Sequence, residues 1–292
     1  MSRAAEIRKE TTPFIPFHTD EVRRAFIASF KAAEHKTHPF PHLFVENVFP
    51  PAFYAALIEH LPHDTEYEAM TKKRTPNRLA HLYRLTYDLS NDCYKLNDSV
   101  RPYWEIVLAT IDSPEFASAL SEKFSEPLRQ RYGRNDLEMK IRLQLLRDST
   151  GFAIGPHTDA VSKVFTCLFY LPPDHSQKLL GTSIFVPKQR GFVDESGKQL
   201  KFEPFEEFAR MPFIPNSLFI FMKTDNSFHG RYTVPEGSAA RNIINCSVRL
   251  AKQGAAAQTD DEDYATDGNA EGQRGKRIFS PLKKFMRKYL AS

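Results

Sequence analysis

Three cysteines in 292 residues, Cys93, Cys167 and Cys246, are too few and too widely spaced for a disulfide framework, and no two form a C-x-x-C pair. A reducing compartment, the cytoplasm, is the expected location. Long apolar runs are missing too. Val164–Leu171 contains Thr166 and Leu218–Met222 is five residues long, whereas a membrane span needs about 20. The opening MSRAAEIRKETTPF carries charges but no apolar segment of signal-peptide type. Charge of one sign is equally scarce: 40 basic and 36 acidic residues leave a formal net charge of +4, too small to announce a nucleic-acid partner. No internal repeat is present. With 26% charged and 41% hydrophobic residues the chain is not wholly disordered, and its length buries a core without staples.

The pattern is helical first and strand-rich later. Asp20 is expected to cap a helix running to about Glu34, with Val22, Phe26, Ile27 and Phe30 on one face. His38–Phe49 reads as extended, and Pro50-Pro51 opens a short helix that stops near Pro62. Residues 63–80 read as a long polar loop. Ser99–Ile111 and Pro114–Tyr132 read as two further helices, the second stopping at Gly133. Strands then dominate: Leu137–Leu146, Lys163–Leu171, Thr182–Pro187, a run near Lys201, Leu218–Met222 and Asn242–Leu250. Several strands with no helical pattern between them predict a mainly β, antiparallel sandwich or barrel with the helices packed outside.

Chemistry concentrates at His157-Thr158-Asp159, which follows the glycine-containing loop Ser149–Pro156. Residues i and i+2 of an extended segment face the same way, so the imidazole and the carboxylate can grip one ion. His229, beyond the apolar strand Leu218–Met222 and a polar loop, is the natural third ligand. Two histidines and a carboxylate suit Fe(II) and leave coordination positions open. The same spelling occurs at His18-Thr19-Asp20, where a helix cap in a Pro-flanked arm is the better explanation. Arg241 heads the last strand, on the mostly polar face it shares with Ile243, Asn245, Ser247 and Arg249. That face meets either solvent or a wet cavity, and a buried Arg241 needs an anion. Tyr170, ending the strand Lys163–Leu171, can offer a hydroxyl to the same anion.

Taken in order, His157-x-Asp159, Thr166-Cys167-Leu168-Phe169-Tyr170-Leu171, Gly181-Thr182, His229 and Arg241 resemble the Fe(II)/2-oxoglutarate-dependent oxygenases, the prolyl-4-hydroxylase-like branch above all. Pro39-Phe40-Pro41-His42 followed by Pro50-Pro51 is also similar to N-terminal stretches of bacterial members. The resemblance covers roughly residues 38–250. It implies a double-stranded β-helix (jelly-roll) core packed against N-terminal helices, with His157, Asp159 and His229 on iron. Arg241 and Tyr170 then hold the distal carboxylate of 2-oxoglutarate. Arg147 stands where related enzymes often carry a pocket-lining tyrosine, and is expected to contact the co-substrate or an anionic substrate. The implied reaction consumes 2-oxoglutarate and O₂, releases succinate and CO₂, and hydroxylates a C–H bond of a small molecule or a protein side chain. Asp159 argues for hydroxylation over halogenation, since halogenating relatives lack the carboxylate.

Residues 1–251 are expected to form this domain, with 252–275 a flexible acidic linker and 276–292 a basic amphipathic helix. In that last segment Leu282, Phe285, Met286, Tyr289 and Leu290 share one face, and Lys283, Lys284, Arg287 and Lys288 share the other. Such a helix docks on a protein surface, its own body or a second subunit included, or lies on an anionic membrane. Two rivals remain at this point: a non-catalytic jelly-roll module binding a metal or a sugar, and a scaffold whose business is the tail.

Overall fold

The longest strands set the architecture of the computed structural model, which describes residues 15–69 and 83–251. The expected linker 252–275, the tail helix 276–292 and most of the expected loop 63–80 lie outside the described residues. Strand β11 (Arg241–Leu250) pairs along its whole length with β4 (Met139–Asp148) and, on its other edge, with β6 (Lys163–Tyr170). β9 (Ser217–Met222) extends the sheet past β6, and β1 (His42–Glu46) closes that side. The short strands β3 (Arg84–Tyr87) and β2 (Glu68–Ala69) complete seven antiparallel strands on the far side of β4. A second antiparallel sheet runs β5 (Ile154–His157), β10 (His229–Arg231), β7 (Ser183–Pro187), β8 (Phe205–Arg210).

Between β4 and β11 the chain weaves from one sheet to the other, giving four strands ordered β4-β11-β6-β9 opposite four ordered β5-β10-β7-β8. That eight-stranded pairing is a jelly roll, as expected. The large sheet is buried on both faces, which is why Ser217–Met222 is buried at every position. Its inner face meets the small sheet through Leu146, Tyr170, Ile184, Phe219, Phe221 and Ile243. Its outer face carries Leu143, Leu145, Phe165, Phe169, Ile244 and Val248 against the helices.

The helices are α1 (Thr19–Ala32), α2 (Pro51–Glu59), the short α3 (Leu89–Asp92), α4 (Arg101–Ile111), α5 (Pro114–Lys123) and α6 (Ser125–Tyr132). α1 buries Val22, Phe26 and Phe30, one side chain per turn. Phe26 lies 4.8 Å from Phe116 and 5.8 Å from Phe169, ring centre to ring centre, tying α1 to α5 and to β6. Three expectations need correction. The cap of α1 is His18, and Asp20 sits inside the first turn paired with Arg23. The segment 114–132 is two helices, because the backbone leaves helical geometry at Phe124, whose ring is fully buried. The loop Ser149–Pro156 already contains most of β5.

Candidate metal centre and its cationic inner end

Antiparallel pairing of β10 with β5 sets His229 directly opposite His157, and the two ring centres lie 4.2 Å apart. Asp159, two residues past the end of β5, turns back beside them. One ligand atom from each of the three residues falls within 4.8 Å of the others, and all three residues are buried. Gly230 permits this pairing: a Cβ there would stand 2.7 Å from the Ile154 carbonyl oxygen.

Each histidine is oriented by its own strand. Nδ1 of His157 lies 2.9 Å from the Gly155 carbonyl, and Nδ1 of His229 lies 3.0 Å from that of Ser227. A carbonyl only accepts, so Nδ1 carries the proton and Nε2 keeps its lone pair. Burial, joined at His229 by the neighbouring His157, holds both rings neutral, His229 being pushed down to about 3. Burial acts to raise Asp159, but Lys163, the two neighbouring imidazoles and the Thr166 hydroxyl together outweigh it and hold the carboxyl well below the usual range. Two neutral imidazoles and an ionised carboxylate are the protonation states a divalent metal requires. The donor set therefore fits Fe(II).

Lys163 and Thr166, to which the sequence assigned nothing, hold that carboxylate. Nζ of Lys163 donates to Oδ1 at 3.0 Å and Oγ1 of Thr166 donates to Oδ2 at 2.6 Å. Behind them, buried Lys223 donates to Thr158 Oγ1 at 3.0 Å, and Thr158 donates to the Asp194 carbonyl at 2.7 Å, which pins the segment carrying both ligands.

Between the sheets a cavity runs inward from the three ligands, walled by Leu146, Phe152, Ile154, Leu168 and Ile243 with Asn245 among them. Arg84, Arg231, Arg241 and Thr182 also line it. Asp148, fully buried, accepts from Arg84 Nε at 2.5 Å and from Arg241 Nη1 at 2.9 Å, so one carboxylate serves two guanidiniums. Arg241 also donates through Nε to the Leu180 carbonyl at 2.6 Å. Arg231 is 4% exposed and donates through Nη1 to the Gly181 carbonyl at 3.3 Å. Burial and the adjacent Arg241 push its guanidinium down to about 9.

The structure thus unites His157, Asp159 and His229 and carries Arg241 to the same cavity. Tyr170 packs its ring 5.5 Å from the Arg241 guanidinium, while its hydroxyl accepts from the Thr182 amide at 3.1 Å. Arg147 does not reach the cavity. Leu146 faces inward, so strand alternation turns Arg147 to the opposite face, where it pairs with Asp64 at 2.9 Å. Arg231 was detectable in principle, being two residues past His229 and hence on the same strand face. Arg84 lies in a stretch whose sequence shows no such relation.

No known family model matches this chain, and no curated protein does. Among solved structures it is similar to an oxidoreductase of the 2OG-Fe(II) oxygenase family from Burkholderia pseudomallei, at 14% identity and a TM-score of 0.43, covering 76% of this chain and 89% of that one. It is similar also to a prolyl-4-hydroxylase from Pseudomonas putida, at 11% identity and 0.45, covering 79% and 100%. A third, HygX from Streptomyces hygroscopicus with nickel and 2-oxoglutarate bound, aligns at 11% identity and 0.37, covering 77% and 90%. Likenesses this distant add nothing to what the strand order and the side chains already establish.

Proposed function

We propose that the chain is an Fe(II)- and 2-oxoglutarate-dependent oxygenase that hydroxylates a C–H bond and releases succinate and CO₂. The observation that carries this reading is the buried His157, Asp159 and His229 set, within 4.8 Å, in a cavity that Arg84, Arg231 and Arg241 also line. Iron held by these residues would supply O₂ activation coupled to oxidative decarboxylation of an oxo acid. The protein's own part is positional. His157 and His229 present Nε2, and Asp159 offers a carboxylate already oriented by Lys163 and Thr166. Leu146, Phe152, Ile154, Leu168 and Ile243 would pack against the carbon chain of the oxo acid, and the guanidiniums in the same cavity would take its charge remote from the metal. The ordered residues from Pro39 to Arg241 support placement near the prolyl-4-hydroxylase-like branch.

Anaerobic titration with Fe(II) and then 2-oxoglutarate tests the reading: a weak visible charge-transfer band of the chelate is expected. Replacing His157 or Asp159 by alanine should abolish succinate formation from 2-oxoglutarate. Turnover at the wild-type level in either variant overturns the assignment.

A further inference from the structure

The inner face of the large sheet continues past the metal cavity as a polar strip. Register sets Asn245 of β11 between Leu168 of β6 and Gln144 of β4, and the next row reads Thr166, Ser247, Arg142. Residues directly opposite in an antiparallel pair share a face, and Leu168, Thr166 and Asn245 line the cavity. Gln144 therefore faces the same way, yet it lines a second pocket, with Glu66, Glu68, Asp88, Asp92 and Lys95. Cavity and pocket thus adjoin where Asn245 stands beside Gln144.

The strip holds polar groups that nothing satisfies. Asn245 is 9% exposed, and neither its carboxamide nor that of Gln144 makes a hydrogen bond among the described residues. Ser247 is 3% exposed and its Oγ has no partner. Such groups are costly to bury unpaired, and a bound molecule with polar groups of its own would satisfy them. Asn245 lies four residues from Arg241 along β11, about 14 Å, so it stands well apart from that guanidinium.

The adjoining pocket sets the sign of the molecule's charge. Asp92 pairs with Lys95 at 2.7 Å and Asp88 with Arg142 at 2.7 Å. Glu66 accepts from the His63 amide at 3.0 Å and Glu68 is exposed, and neither forms an ion pair among the described residues. Two carboxylates are left without a counter-charge, and they favour a cation.

We propose that the substrate is cationic: an ammonium or guanidinium group seated at Glu66 and Glu68, joined by an aliphatic chain to a polar part that Asn245, Gln144 and Ser247 hydrogen-bond beside the metal centre. This inference rests on the proposed function and names the substrate class of that site. It replaces the anionic substrate expected from Arg147, which lies on the outer face against Asp64.

The test uses the full chain with Mn(II) and no co-substrate. The cationic probes are cadaverine and Nα-acetyl-lysine amide; the controls are the neutral Nα-acetyl-norleucine amide and the anionic Nα-acetyl-glutamate amide. Calorimetry reads affinity, and broadening of probe protons by Mn(II) reads closeness to the metal. At least one cationic probe should bind more tightly than both controls and be broadened. Cadaverine alone identifies a free amine as the source, and the lysine derivative alone a polypeptide. Glu68→Gln should weaken the cationic probe roughly 2- to 5-fold and Glu68→Lys further, with the norleucine derivative unaffected. Asn245→Leu should weaken it roughly 3- to 10-fold and, without ligand, melt at or above the wild-type temperature, since the carboxamide it removes has no partner.

Cationic probes that bind no more tightly than the norleucine derivative overturn the proposal, as does an affinity that Glu68→Lys leaves unchanged. A lower melting temperature in Asn245→Leu marks that carboxamide as structural and overturns its part. If 2-oxoglutarate, titrated separately, fails to bind the wild-type protein with Mn(II), the proposed function falls while the preference for a cation is still read on its own.

Discussion

Thr166 gives Asp159 a hydrogen bond 2.6 Å long from a neighbouring strand, and contacts of this kind fix how a carboxylate meets a metal. Replacing Thr166 by valine keeps the shape and removes the donor. Mn(II) affinity, followed by electron paramagnetic resonance, should fall roughly 10- to 100-fold. Asp148 governs a different property. Burial acts to raise it, but Arg84 and Arg241 hold it below its ordinary 3.8. Its stabilising contribution is therefore complete above about pH 5 and is lost as pH falls through the lowered folded value. Asp148→Asn should cost about 3–5 kcal/mol at neutral pH, because two buried guanidiniums lose their carboxylate. In urea unfolding the gap between variant and wild type should be widest above pH 5 and close toward pH 2. His157, Asp159 and His229 were readable in the chain because metal chemistry restricts residue type and spacing. Lys163, Thr166 and Asp148 were not, since their roles come from strands brought together by the fold. Arg147 was misplaced for a simpler reason: one residue of strand register decides between cavity and outer face.

Elements with a strong period were readable and short or one-sided ones were not. Val22, Phe26 and Phe30 announce α1, and removing the central ring of that stripe, Phe26→Ala, should destabilise the fold by about 3–5 kcal/mol in urea unfolding. By contrast, β8 reads Phe-Glu-Glu-Phe-Ala-Arg because its middle residues face solvent at the edge of the small sheet. β10 has three residues, too few for any period, yet it positions His229. Its neighbour Gly230 has no room for a methyl group beside the Ile154 and Gly155 carbonyls. Gly230→Ala should push β10 away from β5, lowering both Mn(II) affinity and melting temperature; an unchanged Mn(II) affinity would separate the strand pairing from the metal site.

For the whole molecule, a run of strands after residue 137 foretold a two-layer β structure, but no sequence feature fixed the order in which the layers pair. The weave becomes visible only in the register of β4 to β11. The last described residue, Ala251, still donates its amide to the Glu138 carbonyl at 2.8 Å, so the large sheet is closed by the end of β11. A chain ending at Ala251 should therefore keep the full protein's melting temperature and Mn(II) affinity; a loss in either would assign residues 252–292 a part in the body's stability.

His229 and Arg231 belong to a single strand, two residues apart. Two backbone repeats, about 6.8 Å, thus separate the backbone of a metal-binding residue from that of a buried arginine, whatever the distance between the layers. Breathing of the sandwich leaves that span untouched. A shift of β10 along β5 would therefore move both positions together, and neither can drift relative to the other without breaking the strand.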